Sequence, residues 1–498
     1  MKFLAAAAAL AAVADAAALG PSDPRCVCCS ALTKTEGLTG KVYAPDSQKY
    51  TERLGEYYSA NAAQAPWCMV FPESAGDVSK IVKVFNEHSC PFGMRSGGHS
   101  AFKGSNGIKD GVTVDFGNMA DTTYDEATQI ASVGPGSDWG AVYRTLAPYG
   151  VVGVGGRADV VGVGGFTTGG GYSFHTGVRG FACDNVVNFE VVLGNGDIVN
   201  ANATANSDLW KALKGGSGNL GFISRVEIEV WPQNELYASI TGYAQEDKPK
   251  VIDAYVDFVN NQDTDAPSQA IIAQTFGVTA GYGFGAILSN IDNVVSPSFD
   301  PFFAIPSQYS IPASGPAHEV VPVFTGYTPM GVLASWQAGM VGLDAELLNE
   351  MDQIQHDYIS RMQAAAPTSN FEMIFQWQAV TKGIVAVSES RGGNVLGLDH
   401  VVADGPAVMY NIALTIDTDP NQELILPIAI QFRKALEAAA DARGLNRKWE
   451  FLNYAHSSQD PISHYGAENI AHLKAASKKY DPTQVFQKLR KTGFHLPA

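Results

Sequence analysis

The chain has 498 residues, of which 46% are hydrophobic and 17% are charged. This hydrophobic content is typical of a globular protein and excludes wholesale disorder, and the length predicts two to four domains at about 150 residues each. The 33 basic and 50 acidic side chains leave a net charge of -17. A charge of this sign argues against binding to nucleic acid or to an anionic membrane surface, because both need clustered Lys and Arg.

The first residues have the pattern of a secretory signal. Lys2 provides a short positive start, residues 3–14 form an apolar run too short to cross a bilayer, and residues 14–16 offer a small-x-small cleavage site. We therefore predict that residues 1–18 are a signal peptide and that the protein is secreted and extracellular. The alternative is an N-terminal helix of the fold. No later stretch reaches the roughly 20 apolar residues of a membrane helix, so no membrane contact is predicted.

Cysteine usage fits an exported protein, since five of the six cysteines lie in the first 90 residues. Cys26 and Cys29 have the spacing of a metal site, but no second pair or nearby histidine completes a tetrahedral set, so no metal is predicted. A disulfide between the N-terminal segment and the Cys68–Cys90 region is favoured. The pairing stays open among Cys26, Cys28, Cys29, Cys68 and Cys90. The sequon at Asn202 predicts a glycoprotein if the chain is exported.

Short helices and strands alternate in the first half of the chain. Ser74 and Asp77 form a capping-box pattern ahead of a short amphipathic helix. Apolar runs on both sides of Asn195-Gly196, a strong turn signal, predict a hairpin over residues 188–201. The other strands predicted in this half cover residues 91–95 and 226–230.

After Pro232 there are fewer glycine clusters, and longer elements are predicted. One helix is expected over residues 345–365 and another over 427–442, with Pro427 in the first turn, where proline is tolerated. Residues 296–316 are rich in Pro, Ser and Phe and predict a loop. Strands are predicted over residues 371–380 and 407–415, and we interpret this part as a second domain, a sheet with helices on one side.

The densest motif is a run of nine glycines between Gly153 and Gly171. Without side chains, backbone N–H groups can approach an anion such as a pyrophosphate, although an irregular glycine-rich loop is an equal alternative. Gly153, Gly155 and Ala158 match the dinucleotide pattern G-x-G-x-x-G/A, but no amphipathic helix follows. This argues against a nicotinamide-binding Rossmann domain. The sequence also has no P-loop and no serine-hydrolase elbow.

Three further glycine-rich motifs accompany this run. Arg95-Ser-Gly-Gly-His99-Ser follows a predicted strand and holds a histidine on a tight turn, a pattern that alone more often marks a packed loop histidine. Residues 180–186 lead into the hairpin, and residues 214–223 lead into the next strand. Four such loops around one α/β unit predict a large, extended ligand.

In this order the motifs resemble the vanillyl-alcohol oxidase superfamily, whose FAD-binding domain is of the PCMH type. Within it they are most similar to the berberine-bridge-enzyme-like FAD-linked oxidases, especially secreted fungal members. The resemblance rests on Arg-Ser-Gly-Gly-His-Ser, Val-Gly-Val-Gly-Gly, Ala-Cys-Asp-Asn-Val and Leu-Lys-Gly-Gly. It continues with Arg391-Gly-Gly-Asn-Val-Leu-Gly, Phe451-Leu-Asn-Tyr-Ala and Tyr480-Asp-Pro-Thr-Gln-Val-Phe.

The resemblance implies an α+β fold: a two-subdomain PCMH-type FAD-binding domain and an α/β substrate domain with an antiparallel sheet. The implied FAD-binding domain covers residues 19–235, with a core at about 65–232. Residues 236–440 form the implied substrate-binding domain, and residues 441–498 complete the FAD domain.

The resemblance also implies which residues hold the cofactor. His99 stands where the family joins FAD covalently to a histidine, and Ala158 replaces the cysteine that makes a second link in many relatives, so a single link is expected. Val161 corresponds to a position that gates oxygen, and a valine there favours an oxidase. The residues expected to contact FAD are Arg95, Ser96, Gly97, Gly98, His99, Ser100, Val161, Gly162, Gly164, Gly165, Gly169, Gly170, Gly171, Asp184, Asn185, Val186, Ile223 and Asn453.

Two residues are candidates for catalysis. The Tyr454 hydroxyl is expected to accept a substrate proton, with a packed core tyrosine as an equal alternative. On the predicted strand 371–380, Gln376 and Gln378 share one face. The family places a glutamine in the site, so Gln376 is expected to orient the substrate; the alternative is the solvated face of the sheet.

Together these features predict a monomeric, secreted FAD-dependent oxidase. It would transfer a hydride from a small alcohol, amine or secondary metabolite to flavin N5, and O2 would reoxidise the flavin and yield H2O2. A carbohydrate oxidase is the first alternative, and it ranks lower because Ala158 lacks the second covalent link of the bicovalent sugar oxidases. A flavin-containing cyclase, a flavin protein that oxidises nothing, and a plain extracellular binding module are the others.

Overall fold

A computed structural model describes residues 23–232, 235–325 and 329–498. The predicted signal peptide, residues 1–18, lies outside the described residues. Sheets of four, five and seven strands, together with one two-stranded ladder and the flanking helices, confirm the predicted α+β fold. Within the described ranges, no helix is long and apolar enough to cross a membrane.

The first sheet has the strand order β1-β2-β4-β3, in which β2 and β3 run parallel to β4 and β1 runs antiparallel to β2. Its elements are α1 (Pro24–Lys34), β1 (Val42–Tyr43), α2 (Gln48–Leu54), β2 (Cys68–Val70), α3 (Ala75–His88), β3 (Phe92–Arg95) and β4 (Val112–Asp115). The Ser74 hydroxyl accepts the Asp77 N–H at the start of α3, which confirms the predicted helix start. The Asp77 carboxylate accepts the N–H of Glu73 rather than that of Ser74.

The second sheet is antiparallel, in the order β5-β6-β10-β8-β9. It confirms the hairpin at Asn195-Gly196, formed by β8 and β9. The elements of this region are β5 (Thr122–Asp125), β6 (Ile130–Val133), α4 (Trp139–Leu146), β7 (Val151–Val152), α5 (Val163–Thr168), α6 (Thr176–Arg179), β8 (Val186–Val192), β9 (Ile198–Asn202), α7 (Ser207–Leu213), β10 (Phe222–Glu229) and β11 (Trp231–Pro232). A short ladder of β11 and β7 follows the sheet.

The third sheet has seven antiparallel strands in the order β15-β12-β14-β13-β17-β18-β16. Its elements are β12 (Leu236–Tyr243), α8 (Lys248–Asn261), β13 (Ser268–Gly277), β14 (Gly281–Asn290), α9 (Asp300–Phe303), β15 (Ser307–Gly315), α10 (Ala317–Thr325), β16 (Leu333–Gly342), α11 (Ala345–Ala365), β17 (Glu372–Val380), α12 (Lys382–Ser390), α13 (Leu398–Val401), β18 (Ala407–Ile416) and α14 (Asp419–Ala442). Two short helices, α15 (Ala467–Tyr480) and α16 (Val485–Lys488), lie beyond it.

The side chains of strand β17 alternate between the two faces of the third sheet. Phe375 and Trp377 lie in the core formed with α8, α11 and α14. Ile374 and Gln376 alternate with them and line a cavity on the opposite face. The predicted sheet with helices on one side is therefore confirmed, and its uncovered face turns toward the glycine-rich loops.

Two predictions about elements are wrong. Residues 296–316 contain α9 and the edge strand β15, not only a loop. Pro312 is tolerated in β15 because this strand lies at the edge of the sheet, where a missing N–H breaks no interior hydrogen-bond ladder. Helix α14 begins at Asp419, so Pro427 lies inside the helix and not in its first turn. Pro420 holds the first-turn position instead, behind the Thr418 cap.

The C-terminal segment returns to the first sheet. The Phe92 N–H donates to the Leu489 carbonyl and the Lys491 N–H donates to the Phe92 carbonyl, both at 2.9 Å. The Asp481 carboxylate accepts the Phe486 N–H at 2.8 Å and so fixes the start of α16. Residues far apart in the chain thus support β3, the strand that leads directly into the loop carrying His99.

The predicted disulfide link between the N-terminal segment and the Cys68–Cys90 region is confirmed. Cys28 pairs with Cys90, and Cys29 pairs with Cys68. Cys26 and Cys183 are free. Both bonds attach α1 to the core of the first sheet, because Cys28, Cys68 and Cys90 are buried there.

We expect removal of the Cys29–Cys68 bond to destabilise the protein. The bond closes a sequence separation of 39 residues, and chain entropy assigns such a loop about 4 kcal/mol. The Cys29→Ser/Cys68→Ser variant should therefore unfold at lower urea concentration, whereas the control Cys26→Ser should unfold as the natural protein does. Equal destabilisation by Cys26→Ser would contradict this pairing.

Candidate active site

One cavity of about 540 Å³ lies between the glycine-rich loops and the uncovered face of the third sheet. Most of the residues predicted for the cofactor and for catalysis line it, although they come from three distant parts of the chain. They are Ser96, Gly97, Gly98, His99, Ser100, Val161, Gly162, Gly164, Gly165, Ile223, Gln376, Asn453 and Tyr454.

The loop after β3 and the start of α5 touch backbone to backbone. A Cβ on Gly97 would lie 2.5 Å from the Gly162 Cα, closer than real Cβ contacts. The Ser96 hydroxyl links the same two segments by accepting the Gly164 N–H at 3.1 Å, and it donates to the Pro135 carbonyl of a third segment at 2.5 Å. These glycines are therefore required for packing, whatever the ligand.

Gly165 differs from these glycines. A Cβ built on it would meet no atom within 4 Å, and the residue lines the cavity. A ligand can therefore come close to the backbone at Gly165. This is the property predicted for the glycine run, and it fits a cofactor that carries a pyrophosphate.

His99 presents a neutral imidazole to the cavity. Its ring stacks on Tyr58, with 4.3 Å between ring centroids and 6° between the planes. Burial lowers the pKa of His99 to about 4, so the ring is uncharged at neutral pH. Its Nε2 is buried and has no hydrogen-bond partner among the described residues. A buried polar atom of this kind indicates a group that bonds to a ligand.

Asn453 connects the C-terminal segment to the glycine run. Its amide nitrogen donates to the carbonyls of Gly165 and Phe166 at 3.2 and 3.3 Å, and its oxygen accepts the Gly171 N–H at 3.3 Å. A Cβ on Gly169 would lie 2.8 Å from the same side chain. Asn453 therefore sets the shape of the glycine loop while also lining the cavity.

Four tyrosines line the cavity, and the hydroxyls of three of them, Tyr58, Tyr172 and Tyr454, have different partners. Tyr172 donates to the Ala379 carbonyl at 2.8 Å, and burial raises its pKa above the usual range. Tyr58 accepts the indole N–H of Trp336 at 2.8 Å, and burial raises its pKa to about 12. Tyr454 instead accepts a hydrogen bond from the Arg157 guanidinium at 3.1 Å. Only the Tyr454 oxygen, among these three, accepts a hydrogen bond from a charged group.

Arg157 is the main residue that sequence reasoning missed. Its Nη2 donates to the Gln378 side-chain oxygen and to Tyr454, and its guanidinium carbon lies 4.7 Å from the centre of the Tyr172 ring. The signal was present in the sequence, because a charged residue interrupts the glycine run directly before Ala158. Its partners, however, are 221 and 297 residues away.

Seven of the residues predicted to contact FAD do not line the cavity. Arg95 is fully buried, donates to the carbonyls of Arg53 and Glu56, and pairs with Asp115 at 3.4 Å. It supports the loop that carries His99 from behind. The other six are Gly169, Gly170, Gly171, Asp184, Asn185 and Val186.

Asp184 joins two motifs rather than facing the cavity. Its carboxylate accepts the Phe181 N–H at 2.8 Å, the Ser388 hydroxyl at 2.5 Å and the Asn394 amide at 2.9 Å. The Ala-Cys-Asp-Asn-Val motif is therefore held against the motif that begins at Arg391. Both motifs were found in the sequence, and the structure shows that they support each other.

Comparison with known proteins then identifies the family. A model of the FAD binding domain family matches residues 66–202. The chain is 32% identical over 480 residues to the FAD-dependent monooxygenase drtC of Aspergillus calidoustus, with 94% of this chain and 90% of the relative covered. A second relative is the FAD-dependent monooxygenase sdcF of Emericella nidulans, 32% identical over 479 residues, with 94% and 98% covered. The chain belongs to this family of FAD-dependent oxidoreductases.

Solved structures confirm the PCMH-type fold of this FAD-dependent oxidoreductase. The 6-hydroxy-D-nicotine oxidase of Arthrobacter nicotinovorans superposes with a TM-score of 0.76 at 18% identity, covering 94% of this chain and 99% of that one. A xylooligosaccharide oxidase of Myceliophthora thermophila C1 in complex with xylobiose gives a TM-score of 0.77 at 18% identity, covering 95% and 100%. These similarities establish the fold, and the substrate has to be inferred from the residues of the site.

A pair of glycine substitutions separates the packing role from the ligand role in this oxidoreductase. Gly165→Ala should keep or slightly raise the melting temperature, because alanine is favoured over glycine in a helix by roughly 0.5–1 kcal/mol, while the flavin content of the purified protein falls. Gly162→Ala should lower the melting temperature because of the close contact with Gly97. Thermal unfolding and the ratio of flavin to protein absorbance measure both effects. Full flavin content in Gly165→Ala would contradict the role given to this position.

Proposed function

We propose that the protein is an oxidase that holds FAD through one covalent bond to His99 and transfers a hydride from a small alcohol, amine or secondary metabolite to the flavin, with O2 as the acceptor that yields H2O2. The observation that carries the proposal is the meeting of an unpartnered, neutral imidazole and an arginine-bound tyrosine hydroxyl in one cavity. FAD, when bound, supplies the hydride acceptor.

His99, Ala158 and Val161 support the cofactor part of the proposal. The neutral imidazole of His99 has a free lone pair with which to form a bond, and stacking on Tyr58 holds the ring in place. Ala158 lines the same cavity and offers no thiol, so a second link cannot form there. Val161 lies beside it in the cavity wall, where its size controls access of a small molecule such as O2.

Tyr454 supports the proton-transfer part. Tyr454 lines the cavity, and its hydroxyl oxygen accepts a hydrogen bond from the Arg157 guanidinium. Tyr454 is therefore placed to accept the substrate hydroxyl or amine proton as the hydride leaves. Its ring packs 5.0 Å from Phe451 and 5.3 Å from Trp336, which holds the hydroxyl in one position.

The cavity wall on the third sheet favours a metabolite over a carbohydrate. Ile271, Ile374 and Ala413 line the cavity around Gln376. A sugar needs a hydrogen-bond partner for each buried hydroxyl, and this sheet adds only a few polar side chains to a mostly apolar wall: Thr275, Tyr309, Glu372, Gln376 and Thr415. Apolar contacts suit a compact aromatic or aliphatic substrate.

A monooxygenase is the second candidate, because relatives more than 30% identical carry that name. The two activities differ in the fate of oxygen: an oxidase releases both atoms as H2O2, whereas a monooxygenase places one atom in the product. Reaction under ¹⁸O2 with mass analysis of the product, and peroxide assay of the same mixture, distinguishes them.

Secretion, predicted from the first residues, belongs to this proposal and is tested by N-terminal sequencing of the protein recovered from the medium.

Acid precipitation of the purified protein tests the covalent bond. The natural protein should give a yellow pellet, because FAD bonded to His99 precipitates with the chain. His99→Ala should give a colourless pellet, and His88→Ala, a change at an exposed histidine on α3, should stay yellow. A yellow supernatant from the natural protein would contradict the bond but leave FAD binding intact.

The Tyr454→Phe substitution tests the base. With the best substrate found by oxygen-electrode screening, the rate of flavin reduction should fall about 10²- to 10⁴-fold, the usual contribution of a positioned base. Substrate affinity should change little, since only one hydroxyl is lost. Tyr149→Phe, at an exposed tyrosine, is the matched control, and stopped-flow absorbance at the flavin band is the measurement. An unchanged rate in Tyr454→Phe would assign the proton to another group.

A further inference from the structure

Within the described ranges Arg157 has no acidic partner, whereas most of the other arginines there pair with a carboxylate. Arg95 pairs with Asp115, and Arg433 pairs with Glu437. No carboxylate lies within ion-pair distance of Arg157 among the described residues. Glu372 also lines the cavity, but it begins β17, six residues before Gln378, which places it about 20 Å along the strand from the Gln378 backbone.

Two buried N–H donors in this cluster lack acceptors. The Nη1 of Arg157 and the Nε2 of Gln378 are both buried, and neither has a hydrogen-bond partner in the described part of the chain. Gln378 is only 1% exposed, and its oxygen is already occupied by Arg157. Arg157 itself lines the cavity. Buried donors of this kind are satisfied when an acceptor oxygen arrives.

The surroundings define what carries that oxygen. Tyr172, Trp336, Ile271 and Ile374 line the cavity near the cluster, and a flat apolar body would pack well against their side chains. A guanidinium without a carboxylate partner attracts a negative charge, and its planar fork matches an oxyanion. The two unpaired donors and the apolar wall therefore select the same molecule: an aromatic or conjugated body that bears an acidic oxygen.

We propose that Arg157, supported by Gln378, binds an anionic oxygen of the substrate, so that the substrate class is aromatic or conjugated compounds with a carboxylate, phenolate or enolate group. This inference rests on the proposed function, since it names the substrate of the same site. The anion lies beside Tyr454, because the Nη2 of the same guanidinium holds the Tyr454 hydroxyl. Arg157 is thus a specificity-determining residue that also positions Tyr454.

Ligand binding to the purified holoprotein tests the proposal without turnover. Isothermal titration with benzoate and with its neutral analogue benzamide measures the preference for a carboxylate. Titration with 4-cyanophenolate, in mildly alkaline buffer, and with benzonitrile measures the preference for a phenolate. We expect at least one anion to bind about tenfold or more tightly than its neutral analogue, and the pair that shows the preference identifies the type of oxygen.

Three variants locate the preference. Arg157→Met should abolish it, Arg157→Lys should retain part of it because the charge remains, and Gln378→Met should reduce it. Arg361→Met, at an exposed arginine of α11 paired with Asp357, is the control and should bind as the natural protein does. If Arg157→Met does not accumulate with flavin, the natural protein, Arg157→Lys and Gln378→Met still decide the question.

Three results would overturn the proposal. The first is equal binding of both anions and their neutral analogues by the natural protein. The second is an anion preference that persists in Arg157→Met. The third is a lowered flavin midpoint potential in Arg157→Met that accompanies such a persisting preference. It would show that Arg157 faces the flavin rather than the substrate. Failure of the oxidase proposal is distinguishable, because it would appear as absent oxygen consumption while the binding preference stood.

Discussion

The close contact between Gly97 and Gly162 is the constraint on which the site depends. Two chain segments more than 60 residues apart meet there without side chains, and the Ser96 hydroxyl, next to Gly97, accepts the Gly164 N–H across the contact. The loop that carries His99 can therefore lie directly over the start of α5, where Gly164 and Gly165 line the cavity. A side chain at this contact would force the loop that carries His99 away from the glycine run, because even a Cβ would lie within 2.5 Å of the opposite backbone.

Behind this contact, a buried layer keeps the loop rigid. Arg95 donates to the carbonyls of Arg53 and Glu56, and its guanidinium carbon lies 3.8 Å from the centre of the Tyr57 ring. Asp184 fixes the motif that follows the glycine run through its bonds to Ser388 and Asn394, and the N–H groups of Ala182 and Cys183 in that motif donate to the run itself. Much of what looks like cofactor machinery in the sequence is thus support for the few residues that reach the cavity.

The sequence was sufficient for what local pattern and family resemblance encode. The glycine motifs, the hairpin at Asn195-Gly196 and the alternation around Gln376 all lie where they were predicted. The pattern could not separate Gly165, which faces the cavity, from Gly170, which packs against Phe451 and Leu396, because glycine looks the same in both settings. The prediction of a loop where the edge strand with Pro312 lies was wrong for a similar reason, because proline and serine are common both in loops and in edge strands.

Arg157 shows the limit of sequence reasoning most clearly. Its importance comes from Gln378 and Tyr454, which reach it only after the third sheet and the C-terminal segment have packed against the glycine run. No local window contains this information. The unpaired donors at the cluster can be recognised only when burial and hydrogen bonding are known for every neighbour.

The bonds between β3 and the C-terminal segment have a consequence for biosynthesis. Phe92 leaves the ribosome nearly 400 residues before Leu489 and Lys491, its hydrogen-bond partners. At about 5–20 residues per second, the strand beneath the histidine loop waits roughly 20 to 80 seconds for them. During that time the glycine-rich half exists without its edge contact and without Asn453. The cavity is therefore completed late, because the segment that supports β3 also brings Asn453 to the glycine run and Tyr454 to Arg157.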